Sequence, residues 1–321
     1  MGQGMVSEPV SAVIGTLNEA DNIADCIASV DGVDEVVVCD DGSTDDTVAI
    51  AESLGAKVFR RADHSVAATP ENVRDFVDRF GWLPSFGPGD RIRNGHLEIR
   101  DNVSHASHDW VAVPDADERV SWDLPRLRAE VLPCSDQVVG RFVHSHDENG
   151  DPTRVSFIMK LYRRSVTEVI GRTHTCIVPS GRVTTTDLMC VDHWQRPNHS
   201  QPYVLAIMEY SVLVDDDQRS RFYLGREYYY YGRYEQALQL LDLYLDHAAW
   251  LPEIAQARLY AALCYQATDR RYEARKSCLE AVLINPDHKE ALALMAKLFD
   301  EPQGSKWAAI ADRATDRGIL F

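Results

Sequence analysis

Residues 10 to 60 alternate strand-length apolar runs with helix-spaced stretches, and nothing else in the chain restricts its fold as much. Val10 to Thr16 is an apolar run that stops at Leu17-Asn18. Ile23, Ile27 and Val30 then follow at i, i+4 and i+7, one face of a helix, with Asn18 expected as its N-cap. Asp34 to Asp40 (DEVVVCD) is a second run. Ser43-Thr44-Asp45-Asp46 after it has the look of a capping box, and Val48, Ile50, Ala51 and Leu54 lead to Gly55 as the stop. Ala56 to Arg60 is a third strand. Connections this short imply parallel pairing through right-handed crossovers, so the front of the chain is expected to be an α/β sheet.

The pattern weakens from Arg61 to Gly89, which reads as a long surface excursion with one helix at Pro70 to Phe80 and the stretch FGWLPSFGPG after it. Segments of that length in compact domains tend to be lids or binding elements. Helical spacing returns from Arg91 to Val103, and Asp109 to Val113 (DWVAV) is a fourth buried strand delivering Asp115-Ala116-Asp117-Glu118 at its carboxyl end. Residues 138 to 193 alternate, with Asn149-Gly150 as a turn, which predicts a mixed or antiparallel section. After Pro202 the chain turns to Ala/Leu/Tyr-rich helical segments. Leu224-Gly225-x-x-Tyr228 with Gly232-x-Tyr234-x-x-Ala237 resembles a tetratricopeptide unit. Tyr234-Glu235 with Leu241 and Leu245 recurs 38 residues later as Tyr272-Glu273 with Leu279 and Leu283, and Asn285-Pro286-Asp287 opens a further unit that ends near Trp307. The expected division is a first domain at 1–205 and a helical-repeat domain at 206–321.

Of the net charge of -17, the 32 acidic and 19 basic side chains before residue 206 contribute -13. A field of that sign opposes binding of nucleic acid or anionic lipid surfaces. No apolar run reaches the roughly 18 residues of a membrane span, and the first 20 residues lack a signal-peptide pattern; a cytoplasmic protein is expected. Seven cysteines with no C-x-x-C argue against a disulfide framework and against a thiolate zinc site.

Ligands of open α/β sheets bind beyond the carboxyl ends of the strands, where Thr16-Leu17-Asn18-Glu19, Asp40 to Asp45 and Asp115 to Glu118 all fall. A D-x-D at a strand end suits Mg2+ or Mn2+ that must also hold a diphosphate, because a hard cation takes carboxylate oxygens and keeps positions for phosphate. His144 and His146, two apart in RFVHSHD, would share one strand face beside the turn. Tyr228 to Tyr231 would spread around a helix, dividing between packing and surface.

TLNEADNI, VVVCDDGSTDDTVAIAESLGAKV, Arg93-Asn94 and DWVAVPDADE stand in an order and spacing that together resemble a family 2 glycosyltransferase with the GT-A fold, well over residues 10 to 122 and loosely over 138 to 195, where KLYRR and Gly171 to His174 are similar to the family's later segments. The repeats resemble those that some members, peptide S-glycosyltransferases among them, append to this domain. The resemblance implies a metal-dependent inverting transfer of a hexose from a nucleotide sugar, UDP-linked by preference. Thr16, Asn18 and Glu19 would line the base and ribose, and Asp41 would accept the uracil N3 proton. Arg93 and Asn94 would project from a helix toward the diphosphate or sugar, Asp115 and Ala116 would lie at the ribose and sugar hydroxyls, and Asp117 would bind the metal with His193 completing its coordination. Thr175 stands where the family has a glutamate after the histidine, which leaves His174, Asp187 and Asp192 as candidates for the base that takes the acceptor's proton. Pro114 directly before the D-x-D is a second departure.

A helical-repeat domain points to a protein or peptide acceptor or to self-association as a homo-oligomer; a saccharide or lipid-linked acceptor is the alternative within the class. A nucleotidyltransferase would need a Gly-rich basic loop after the first strand, where this chain has LNEADN. A non-catalytic scaffold is the third reading, opposed by the D-x-D and favoured by Thr175.

Overall fold

The structure, a computed structural model, describes residues 8–193 and 202–315. Trp194 of the segment Val191 to Trp194 lies outside the described residues. The chain divides into two compact units, one of residues 1–66 and 93–199, the other of residues 67–92 and 200–321.

In chain order the first half comprises β1 (Val10–Thr16), α1 (Ile23–Ser29), β2 (Glu35–Asp40), α2 (Thr47–Ser53), β3 (Lys57–Arg60), β4 (Val66–Ala67), α3 (Pro70–Phe80), β5 (Arg91–Ile92) and α4 (Gly95–Ser104). There follow β6 (Trp110–Ala112), β7 (Glu118–Trp122), α5 (Leu124–Arg126), β8 (Gln137–His146), β9 (Pro152–Arg163), β10 (Glu168–Ile170), β11 (Cys176–Val178) and β12 (Val183–His193). Eight strands make one mixed sheet in the order β3-β2-β1-β6-β9-β8-β12-β7. Its first four are mutually parallel, as the short crossovers require. The rest of the sheet is mixed in sense: β9 is antiparallel to both β6 and β8, β12 is parallel to β8, and β7 is antiparallel to β12. The strand interiors are apolar to match: Val10, Ala12, Ile14, Val37 and Val38 are buried.

One local expectation fails. Asn18 does not cap α1, whose N-cap is Asn22. Asn18 instead takes a positive φ of 55°, a conformation asparagine tolerates better than most residues. Its Oδ1 accepts from the Thr44 amide at 2.8 Å and its own amide donates to Ser43 Oγ at 2.8 Å, which ties the loop after β1 to the loop after β2.

The second unit holds α3 with α6 (Pro202–Tyr210), α7 (Gln218–Tyr230), α8 (Tyr234–Leu245), α9 (Leu251–Ala267), α10 (Arg271–Ile284), α11 (Lys289–Leu298) and α12 (Gln303–Ala311). The stretch read from sequence as a surface excursion is part of this unit's core. Phe76, Phe80, Phe86 and Ile92 are buried with Leu205, Tyr210, Phe222 and Tyr228. Trp82 Nε1 donates to the Tyr228 hydroxyl at 3.0 Å, which donates to Glu209 at 2.7 Å, and Ser85 Oγ donates to the same carboxylate at 3.1 Å. Burial pushes the Glu209 carboxyl above its usual value. The unit therefore starts earlier than the boundary expected at 206, because the aromatic residues of 76 to 86 find their apolar partners there. Of the four tyrosines in a row, Tyr228 is buried, while Tyr230 and Tyr231 are exposed.

Helices α7–α8, α9–α10 and α11–α12 pack as successive pairs. A Cβ on Gly225 would come within 2.9 Å of Leu241 Cγ, so this glycine lets α7 approach α8 closely. Ala237 and Leu241 face it. Ala274 and Cys278, buried with Ala262, occupy the same offsets 37 residues on. The buried register thus differs by one residue from the 38 read from the Tyr-Glu pairs, and Tyr272, Leu279 and Leu283 point to solvent.

Candidate active site

The carboxyl ends of β1, β2 and β6 lie side by side, and a bridge between Gly15 and Asp115 extends this parallel edge to the D-x-D. The loops that follow β1 and β2 are laced together by side chains: Glu19 N donates to Thr47 Oγ1 at 2.8 Å, and Ala20 N to Asp45 at 3.1 Å. Asp40 closes its own turn by accepting from the Gly42 and Ser43 amides, with Gly42 at a φ of 94°. The Thr16 carbonyl accepts from the Asp41 amide, while its buried hydroxyl has no hydrogen-bond partner among the described residues.

Asp41 is the centre of a charge cluster. Its Oδ2 lies 2.5 Å from Arg61 Nη2 and 3.4 Å from Arg93 Nη2. Glu98, itself buried, grips Arg93 at both Nε (2.9 Å) and Nη2 (2.8 Å) and stands 3.7 Å from Arg61. Two guanidiniums facing two carboxylates in a half-buried setting hold the Asp41 carboxylate, with Oδ2 as its nearest atom to both arginines. Arg93 and Asn94 therefore do not project from a helix as expected. They precede α4, and Asn94 is its N-cap, buried, with Oδ1 toward the Leu97 amide at 3.4 Å.

At the D-x-D, Asp117 Oδ2 and His193 Nε2 are 3.3 Å apart and both are partly exposed. The hydrogen bond to Asp117 raises the His193 pKa above its usual value. Asp115 meets Lys160 Nζ at 2.9 Å; the same ammonium reaches Glu118 at 2.8 Å. Glu118 is buried and also accepts from the Asp115 amide at 2.9 Å, so the turn is closed by its own acid. Burial pushes the Glu118 carboxyl up to about 7, against the pull of Lys160. Ala116 buries its methyl in the cluster of Ile14, Ile23 and Cys26, and its carbonyl accepts from Arg119 at 3.2 Å, so it shapes the turn. Pro114 lies past the end of β6, where no ladder bond is lost.

The three base candidates are dispersed. Asp187 is exposed on β12 where its pairing with β8 shifts register, six residues before His193. Asp192 neighbours His193, but alternation places it on the opposite sheet face, where its Oδ2 is 3.1 Å from His146 Nε2. His174 sits at a φ of 47° in the loop 171–175, which is held to the start of α4 by a 2.8 Å hydrogen bond from Gly95 N to Arg172 O. Thr175 packs against the same glycine: a Cβ there would come within 2.8 Å of Thr175 Oγ1. His144 is separate from these, bonded to Ser156 Oγ at 2.7 Å.

Arg61, Glu98 and Lys160 are the site residues that sequence reasoning missed. Lys160 had a signal: a lone lysine between Met159 and Leu161 in a buried strand demands counter-charges. For the fit of a divalent cation, Asp117 and His193 offer a carboxylate oxygen and an imidazole nitrogen at one point, a donor set that suits Mn2+. Among the described residues no group of three or more such side chains gathers.

Residues 11–69 match the family described as Glycosyl transferase family 2. The chain is 28% identical over 228 residues, 67% of its length and 75% of the relative's, to "Lipopolysaccharide core biosynthesis glycosyltransferase LpsC" of Rhizobium meliloti (strain 1021). It is 57% identical over 120 residues, 37% of its length, to "Uncharacterized glycosyltransferase RC0292" of Rickettsia conorii (strain ATCC VR-613 / Malish 7), of which it spans 32%. Among solved structures, mannosyl-3-phosphoglycerate synthase from Rubrobacter xylanophilus aligns at 16% identity over 66% of this chain and 74% of that one, with a TM-score of 0.38. On the sequence matches, the chain is a glycosyltransferase with a family 2 segment at the start of its sheet.

Proposed function

We propose that the front unit transfers a hexose from a UDP-linked donor with inversion at the anomeric carbon. The observation that carries this reading is the meeting, along one strand edge, of a carboxylate held by two guanidiniums (Asp41) and a carboxylate–imidazole pair (Asp117 with His193). The spacing of strands puts β2 and β6 about 10 Å apart on either side of β1, a span suited to a nucleoside diphosphate. Asp41 would accept the imide N–H of uracil, with Thr16, Asn18 and Glu19 along the base and ribose. Asp117 and His193 would hold the divalent cation, Mn2+ or Mg2+, which when bound neutralises charge on the leaving diphosphate. The acceptor's nucleophilic atom bonds to the anomeric carbon as the bond from that carbon to the diphosphate oxygen breaks, and the acceptor's proton passes to a base. Of the three candidates His174 is favoured, since its loop abuts the start of α4, next to Arg93. Lys160 would keep Asp115 and Glu118 from competing for the cation.

For the acceptor, the match to an enzyme named for lipopolysaccharide core synthesis, over two-thirds of this chain, favours a saccharide. A protein or peptide acceptor is the second reading, supported by the paired helices in a 37-residue register, which would form a tetratricopeptide-like surface. Calorimetry tests the base contact: Asp41→Asn should weaken UDP binding by about 1–3 kcal/mol, since the amide cannot replace a charged acceptor, and GDP binding should change less. Equal UDP affinity in variant and parent would remove uracil from this position.

A further inference from the structure

We propose that the front unit carries a second binding site, for a neutral saccharide, in the cavity between α4, the end of β9 and β10. The cavity measures about 760 Å³, within the usual range of small-molecule sites. Its Tyr162 wall is set back from the crevice at the strand ends, since Tyr162 pairs with Val111 and Asp115 lies four residues further on, about 13 Å along the sheet, while Gly171 and His96 line the side toward the 171–175 loop.

The key group is the Tyr162 hydroxyl. The residue is 1% exposed, it lines the cavity, and its hydroxyl has no hydrogen-bond partner among the described residues. Burial raises its pKa, so it remains a phenol able both to donate and to accept. A buried hydroxyl left unpaired costs stability, which an occupant that draws the phenol toward the cavity and bonds to it would recover.

The remaining lining selects the occupant. Arg100 and Glu168 are exposed at the cavity and neither forms an ion pair among the described residues, so a free donor and a free acceptor of opposite charge face the same space. An anion would meet Glu168 and a cation would meet Arg100. A neutral ring of hydroxyls satisfies both at once. Val103, Val169 and Ile170 supply the apolar surface on which the C–H face of a sugar rests. The proposal does not need the donor reading, because binding here involves none of the residues at the strand ends.

The test is saturation-transfer NMR and calorimetry on the full chain with glucose, galactose, mannose, N-acetylglucosamine and their methyl glycosides, with glucosamine and glucuronate as charged controls. At least one neutral sugar should bind saturably and more tightly than either control. Tyr162→Phe and Arg100→Gln should each weaken it at least about fivefold. UDP affinity should be unchanged in both variants, and the melting temperature of Tyr162→Phe should equal or exceed the parent's. Arg100 is on the surface, so Arg100→Gln keeps the test decisive if Tyr162→Phe perturbs the fold. Failure of every neutral sugar to bind, tighter binding of a charged control, or binding insensitive to Arg100→Gln would overturn the proposal.

Discussion

Asp117→Ala is expected to abolish donor turnover, with a loss of about three orders of magnitude or more, equivalent to roughly 4 kcal/mol of transition-state stabilisation. The substitution removes the carboxylate oxygen that lies 3.3 Å from His193 and leaves the rest of the turn intact, because Glu118 and Lys160 close it independently. His193→Ala should cost less, since an imidazole is more readily replaced by water than a charged oxygen is. EDTA should silence the parent and added Mn2+ or Mg2+ should restore it. The readout is nucleotide release in steady state, with circular dichroism to show that the variant is folded. Parental turnover by Asp117→Ala, or turnover unaffected by chelator, would remove the cation from this pair.

The second large effect concerns truncation. A chain ending at His199 keeps Phe76, Phe80, Phe86 and Ile92 but loses Leu205, Tyr210, Phe222 and Tyr228, with which they are buried. Each large side chain returned to water forfeits roughly 1.5–3 kcal/mol, and four of them approach the whole stability of a typical domain. That truncation should aggregate or melt without cooperativity. Replacing residues 67–92 by a Gly/Ser linker in the same truncation removes the exposed aromatics and should yield a soluble unit that binds UDP. Size-exclusion chromatography and a thermal melt distinguish the outcomes. A monomeric His199 truncation with the parental melting temperature would show that the 67–92 segment does not depend on the later helices.

These expectations also mark how far the sequence could be read. The parallel half of the sheet was legible because Val10 to Thr16 and Asp34 to Asp40 are apolar on both faces and the connections between them are short, and the strand ends then located Asp41, Asp115 and Asp117. Asn18 was misread because a residue that caps helices is also one that tolerates positive φ, and only its bonds to the 43–44 turn decide between the two. Arg61 and Glu98 are 37 positions apart, and no local pattern announces that both will meet Asp41. The buried positions follow a 37-residue offset and not the 38 of the Tyr-Glu pairs because Tyr272, the residue that catches the eye, is on the surface, while the small Ala274 and Cys278 are buried. The 61–89 stretch looked like a lid because its aromatics have no partners nearby in sequence; their partners begin at Leu205.

The central claim is that the crevice at the ends of β1, β2 and β6 activates a UDP-linked sugar. The measurement that bears on it most directly is nucleotide release by the purified full chain, with Mn2+, from a panel of UDP-, GDP- and CMP-linked sugars. The account predicts slow hydrolysis of at least one UDP-hexose without acceptor, absent in Asp117→Ala and weakened at low donor concentration in Asp41→Asn. Release from GDP- or CMP-sugars in preference to every UDP-sugar, or from none of the panel, would contradict it.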